Sequence, residues 1–360
     1  MKVTSLLSTA TLLAALAWTG VASGQVDPAP AKPENTSIMG GSGPLANEIT
    51  PEVRTAVKKG LAWLDKQQKA DGGFSGTAYG GSAAFTALAG LAFMADGNMP
   101  GAAGGGEGPY GKNVDKALDR IMKCCQESGL ITNEGMGSPM YGHGFATLFL
   151  AEAYGQTQRA DVKEKLQNAI RLIVQCQNKE GGWRYQPAPV DADLSVTICQ
   201  VMALRAARNA GIKVPKKTID DAIGYVKKSQ EPDGGFSYML QGRGSGFPRS
   251  AAGLACLYYL GVYQGDELTK GTKYVMQGLP GKGNAGFEGH YFYGQYYAVQ
   301  AMFMAGGKSW EAWWPAIRKE LIAKQTSDGS WAGDMDATYS TSMALIILQV
   351  PNRLLPILQK

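Results

Sequence analysis

Histidine is nearly absent from this chain, which carries two in 360 residues, His143 and His290. Its five cysteines (Cys124, Cys125, Cys176, Cys199 and Cys256) contain no C-x-x-C pair, and none stands at a zinc-like spacing from a histidine. Metal centres of nitrogen and sulfur ligands are built from such clusters, so no metal and no cofactor is expected. Five is an odd number, and the core is too large to need a disulfide framework. The cysteines therefore read as buried, reduced thiols, with at most one bridge among them. A basic block is missing too. The net charge is +5 with acidic and basic residues interspersed, which supports no nucleic-acid or membrane-surface partner. Beyond the N-terminus no stretch approaches about 18 unbroken apolar residues, so no membrane span is expected.

The N-terminus has its own pattern. Lys2 precedes the apolar run "LLSTATLLAALAW" and the small-residue stretch "TGVASGQ", with Ala22 and Gly24 placed for cleavage before Gln25. Residues 1–24 read as a signal peptide, which implies export to a periplasm or to the outside. Residues 25–48, rich in Pro, Gly and polar side chains, read as a disordered linker. Residues 49–360 remain for the folded part.

One motif recurs there in one register: "QKADGGF" at Gln68–Phe74, "QNKEGGW" at Gln177–Trp183, "QEPDGGF" at Gln230–Phe236 and "QTSDGSW" at Gln325–Trp331. The pattern is Q-x-x-[DE]-G-[GS]-[FW]. Gln177 to Gln230 is 53 residues, and the two longer gaps hold about two such periods each, with weak copies at Cys124–Gly129 and Met276–Phe287. Six units of about 50 residues result.

Each unit predicts two helices. Before the motif, apolar residues stand 11, 7 and 4 positions ahead of its Gln: Val57, Leu61, Leu64; Leu166, Ile170, Ile173; Ile219, Ile223, Val226. Those steps make one stripe of an amphipathic helix. After the motif come segments such as "SAAFTALAGLAFMA" and "LSVTICQVMALRAA", apolar nearly all round and so buried on both sides. The predicted fold is all-α: a single α/α toroid of six helical hairpins, twelve helices in an inner and an outer ring. Ring closure buries every apolar face without capping repeats. Inner helices run one way, so their N-termini meet at one mouth.

These repeats resemble the QW motifs and related repeats of squalene cyclases and prenyltransferase β-subunits, over residues 50–355. The resemblance implies the toroid, a fold shared with lanthionine cyclases and complement-like thioester domains. The zinc ligands of prenyltransferases and lanthionine cyclases are unmatched, and the GCGEQ motif of thioester domains is missing. Squalene cyclases use D-x-D-D followed by Thr-Ala. "DADLSV" places Asp191 at the family's first Asp and Asp193 at its proton-donating Asp. Leu194 replaces the following Asp, and Ser195 the Thr.

Asp191 and Asp193 are thus the candidate acid residues, and equally the cap of the third inner helix. A helix N-terminus favours the charged carboxylate and should lower its pKa. His143, Ser195, Arg249, His290, Tyr291, Tyr293 and Asp336 also fall at starts of inner helices. They are candidates for a ligand-binding mouth, with Tyr297 nearby. "GEGPYGKN" at Gly106–Asn113 matches G-x-G-x-x-G, but no strand precedes it and Asn113 replaces the P-loop hydroxyl, so it reads as a loop. The expected function is an exported, non-catalytic toroid binding a hydrophobic small molecule, a glycan or a protein at its mouth. The alternative is a terpenoid cyclase-type enzyme using Asp193 as acid.

Overall fold

A computed structural model describes residues 48–74, 82–101, 105–133, 137–242, 244–281, 289–333 and 335–359. The expected signal peptide and all of the expected linker but Glu48 lie outside the described residues. The chain divides into Met1–Gly41 and Ser42–Lys360, and all the described helices belong to the second unit. Its α-helices are α1 (Pro51–Gln67), α2 (Ala83–Ala95), α3 (Gly111–Lys123), α4 (Pro139–Thr157), α5 (Ala160–Cys176), α6 (Leu194–Asn209), α7 (Lys216–Lys228), α8 (Phe247–Tyr259), α9 (Asp266–Val275), α10 (Tyr291–Ala305), α11 (Gly307–Lys324) and α12 (Ala337–Gln349). Among the described residues there is no strand, only isolated bridges.

The even-numbered helices form the inner ring. Each packs on the next, from α2 through α4, α6, α8 and α10 to α12, and α12 packs back on α2. The odd-numbered helices lie outside, each against its inner neighbours, with α1 against α11 and α12 closing the circle. The outer stripes are buried as their spacing requires, including Leu61, Leu64, Leu166 and Val226, with Ile223 half-buried. On inner α2, every residue except Ala84 is buried.

The recurring motif is the hinge of each hairpin and its tie to the next unit. The side-chain amide of Gln177 donates to Gly181 O in its own turn and to Thr218 O on α7. Gln68, Gln230 and Gln325 repeat this with Asn113, Glu267 and Ala56. The last of these links residues 269 positions apart and staples the ring shut. The first motif glycine is fixed by close approach. Gly72, Gly181 and Gly234 have φ of 85–99°, and a Cβ on any of them would lie 2.1–2.5 Å from a carbonyl oxygen of the following outer helix.

A second recurrence lies on the inner helices. The backbone N–H of the motif aromatic donates to a hydroxyl one turn into the helix: Phe74 to Thr86, Trp183 to Thr197, Phe236 to Ser250, and Trp331 to Thr341. All five cysteines are free thiols. Four are buried and Cys125 is half-buried, with burial pushing the Cys125 and Cys199 thiols up to about 12.

The ring axis is filled among the described residues. Phe145 on α4 meets Tyr296 on α10, with ring centroids 6.3 Å apart. Cys199 Sγ on α6 lies 3.6 Å from Tyr297 Oη on α10. Neither helix pair is adjacent in the ring, so both contacts cross the axis. Thr147, Gln200, Gln295 and Tyr297 have no accessible area. An enclosed chamber wide enough for water would expose its lining. At the far end, the C-terminal segment crosses beneath the inner helices, with Gln349 and Asn352 donating to Ala92 O and Ala95 O. Val350, Leu355, Ile357 and Leu358 are buried there.

Candidate functional site

Asp193 caps α6. Its Oδ1 accepts from Val196 N at 2.9 Å and from Ser195 Oγ at 2.6 Å. The Ser195 hydroxyl is in turn 2.6 Å from Tyr141 Oη on α4. Asp193 has no accessible surface, and its Oδ2 has no hydrogen-bond partner; the nearest cation is Arg184 Nε at 3.6 Å. The expectation that capping lowers its pKa is corrected. Desolvation pushes the carboxyl up, and the Ser195, Val196 and Arg184 contacts only partly offset this.

Asp191 does not share the buried site. It is half exposed and bonds Arg184 Nη1 at 2.7 Å. The Arg184 guanidinium lies over the rings of Tyr185, at 4.9 Å, and Tyr238, at 5.9 Å. The hydroxyls of Tyr185 and Tyr238 hydrogen-bond each other, and Tyr141 packs on Tyr185. Tyr293 Oη donates to Ser195 O at 3.5 Å from across the ring. The mouth therefore presents four half-buried tyrosines, Tyr141, Tyr185, Tyr238 and Tyr293, around Ser195, with Arg184 and Asp191 beside them.

The other expected site residues divide. His143 is corrected: it does not join Asp193 at the mouth. It is fully buried, and its Nδ1 accepts from Ile131 N at 3.1 Å. That is the bond that Thr86, Thr197, Ser250 and Thr341 make elsewhere, so His143 fills a structural position of the repeat. Burial lowers its pKa to about 4, so it is a neutral acceptor at ordinary pH. Tyr291 is also corrected, because it points outward to α11, bonding Glu320 at 2.9 Å with Lys324 over its ring. The side chain of Arg249, in the first turn of α8, runs back along the preceding loop, donating to Phe236 O and Gly244 O. Asp336 caps α12 through Thr338 N. His290 is exposed, with left-handed φ of 57°, and with Phe292, Met335 and Tyr339 it lines a hollow of about 10 Å³, room for one water. Tyr297 belongs to the filled axis.

Arg184, Tyr185, Tyr238 and Tyr141 were not singled out in the sequence. A signal for two of them exists: in units three and four the motif continues as [FW]-x-Y, "WRY" and "FSY". Those tyrosines, 53 positions apart, are the pair that meet. Among the described residues no group of histidine, cysteine, aspartate and glutamate could hold a metal ion.

The sequence matches the family described as the prenyltransferase alpha-alpha toroid domain over residues 45–116 and 143–290, more than half of the chain. The chain belongs to that family. No curated protein matches it. Among solved structures, an inactive variant of an alpha-1,6-mannanase of Salegentibacter sp. HEL1_6, in complex with alpha-1,6-mannotriose, is similar with a TM-score of 0.63 and 9% identity. That match covers 84% of this chain and 99% of the other. The type II terpene cyclase MstE from Scytonema, without ligand, gives 0.56 and 13%, covering 85% of this chain and 100% of the other. A glycosidase variant in complex with glucose gives 0.58 and 14%, covering 85% and 98%. At these identities the likeness establishes the shared fold.

Proposed function

We propose that this protein is an exported, non-catalytic toroid that binds a glycan at the mouth of its ring. The observation carrying this reading is the set of four half-buried tyrosines with Arg184 and Asp191 beside them. Tyrosine rings offer flat apolar faces to the C–H faces of a sugar, while their hydroxyls and the adjacent charges bond its hydroxyl groups. The axis beneath is filled, so the surface suits a ligand that lies across the mouth. Neighbours of the same fold were solved with mannotriose, with glucose and with geranylgeranyl dihydroxybenzoate, so the fold takes sugars and isoprenoids alike; it is the filled axis that favours a sugar lying across the mouth over an isoprenoid threaded into the ring. The proposed signal peptide would place the protein in a periplasm or outside the cell, where glycans are accessible.

The second reading is a terpenoid cyclase-type enzyme with Asp193 as acid. It is favoured by the buried carboxyl, its raised pKa and its unbonded oxygen. Against it stand the contacts of Phe145 with Tyr296 and of Cys199 with Tyr297, which occupy the space an isoprenoid chain would need. Isothermal titration of the protein with manno- and gluco-oligosaccharides tests the choice. Saturable binding, weakened roughly tenfold by Tyr238→Ala, is expected for an aromatic anchor contributing about 1.4 kcal/mol. No binding of any oligosaccharide, alongside binding of an isoprenoid such as squalene, contradicts it.

A further inference from the structure

Asp193 is an unusual cap because one of its oxygens is left over. The other caps with a bonded side chain, Thr50, Ser82 and Asp336, stand at exposed or half-buried positions or carry a neutral hydroxyl. Among the described helix caps, Asp193 alone combines a carboxyl with complete burial. The groups facing it come from several elements. Arg184, Tyr185 and Asp191 belong to its own loop and Tyr141 to α4, while Ser195 and Cys199 lie on α6. Tyr225 comes from α7, Tyr238 from the loop before α8, and Tyr293 from α10. Arg184 is the only cation among them.

Arg184 is held for that purpose from several sides. Asp191 takes Nη1 at 2.7 Å, Met239 Sδ lies 3.3 Å from the same nitrogen, and the rings of Tyr185 and Tyr238 lie against the guanidinium. The planar group is thereby oriented with Nε toward the free Asp193 oxygen.

We propose that Arg184 is a positioning residue of the mouth, the fixed counter-ion that faces the unbonded Asp193 Oδ2 and favours the charged form of Asp193, while Oδ1 anchors the Asp193–Ser195–Tyr141 hydrogen-bond chain. Oδ1 already accepts from Val196 N, and a proton would go to the unbonded Oδ2, so Ser195 must donate to Oδ1 and must accept from Tyr141. Tyr141 then turns its oxygen lone pairs toward the mouth and offers an acceptor to a ligand hydroxyl. The pairing with Arg184 opposes the protonation that an acid catalyst at this position would need. The inference holds whichever ligand the mouth takes, so its test is independent of glycan binding.

The test is a carbon-13 NMR titration of the aspartate carboxyls in the full folded chain, with the Asp193 signal assigned by its loss in Asp193→Asn. In Arg184→Gln the Asp193 midpoint should rise by about one pH unit or more, a tenfold weaker acid, while Arg184→Lys should stay near wild type. Arg184→Met keeps an apolar stem against Tyr185 and should give the same rise, which covers failure of the Gln variant to fold. A purely structural role for Arg184 would leave the midpoint in place. A midpoint in Arg184→Gln or Arg184→Met equal to that of wild type overturns the proposal.

Discussion

Glu152 on α4 should make this protein lose stability as pH rises from acid to mild alkali. It is 2% exposed, one carboxyl oxygen has no partner, and the N–H of Ile357 in the C-terminal segment bonds the group. Burial pushes its pKa up from 4.5 to about 8, opposed in part by the Ile357 N–H. The unfolded chain ionises near 4.5, whereas the folded one keeps the proton until about 8. Between these values the folded state binds one more proton, so unfolding becomes easier by about 1.4 kcal/mol per pH unit. The stabilisation is complete below pH 4.5 and gone above pH 8, a span of roughly 4–5 kcal/mol. At roughly 2 °C per kcal/mol for a domain of this size, that is about 8–10 °C in Tm. Glu152→Gln keeps the volume and the acceptor for Ile357 but cannot ionise. Thermal unfolding of both proteins between pH 5 and pH 9 isolates the effect as their difference. The variant should match wild type at pH 5 and exceed it at pH 9. Parallel curves across the range would refute the reasoning.

Other expectations concern the repeat. Gly181→Ala places a Cβ 2.1 Å from Asp221 O at a φ of 99°, and should destabilise the fold by about 2–4 kcal/mol in urea unfolding. Gln325→Ala removes both bonds of the staple that closes the ring, to Ala56 O and Gly329 O, and should lower stability by about 1–3 kcal/mol. His143→Thr restores the residue type found at the equivalent place in α2 and α6. Oligosaccharide titration of that variant should match wild type, whereas a lost affinity would return His143 to the binding site.

The repeat made most of the fold legible. A motif with one register, a four-and-three stripe before it and an all-round apolar segment after it specify a hairpin each, and the spacing counts six. The site was less legible because helix starts are not equivalent in direction. His143 and Asp193 both begin inner helices, yet one side chain turns outward to Ile131 and the other lies under Arg184. Counting from the motif aromatic shows the difference: His143 stands 12 residues after Ile131, as Thr86 stands 12 after Phe74. The raised pKa of Asp193 is not legible in the sequence, because a cap shows there and the depth of its burial does not. Arg184 is equally hidden, because a charged residue after a structural motif reads as surface until the fold brings Tyr238, from the next unit, beside it.

The most direct test of a binding, non-catalytic mouth is proton NMR of an oligosaccharide such as alpha-1,6-mannotriose incubated with the protein. The account predicts selective broadening of the sugar signals, lost in Tyr185→Ala and Tyr238→Ala, with the anomeric signals unchanged after prolonged incubation. New anomeric signals, or sharp sugar signals throughout a panel of manno- and gluco-oligosaccharides, would contradict it.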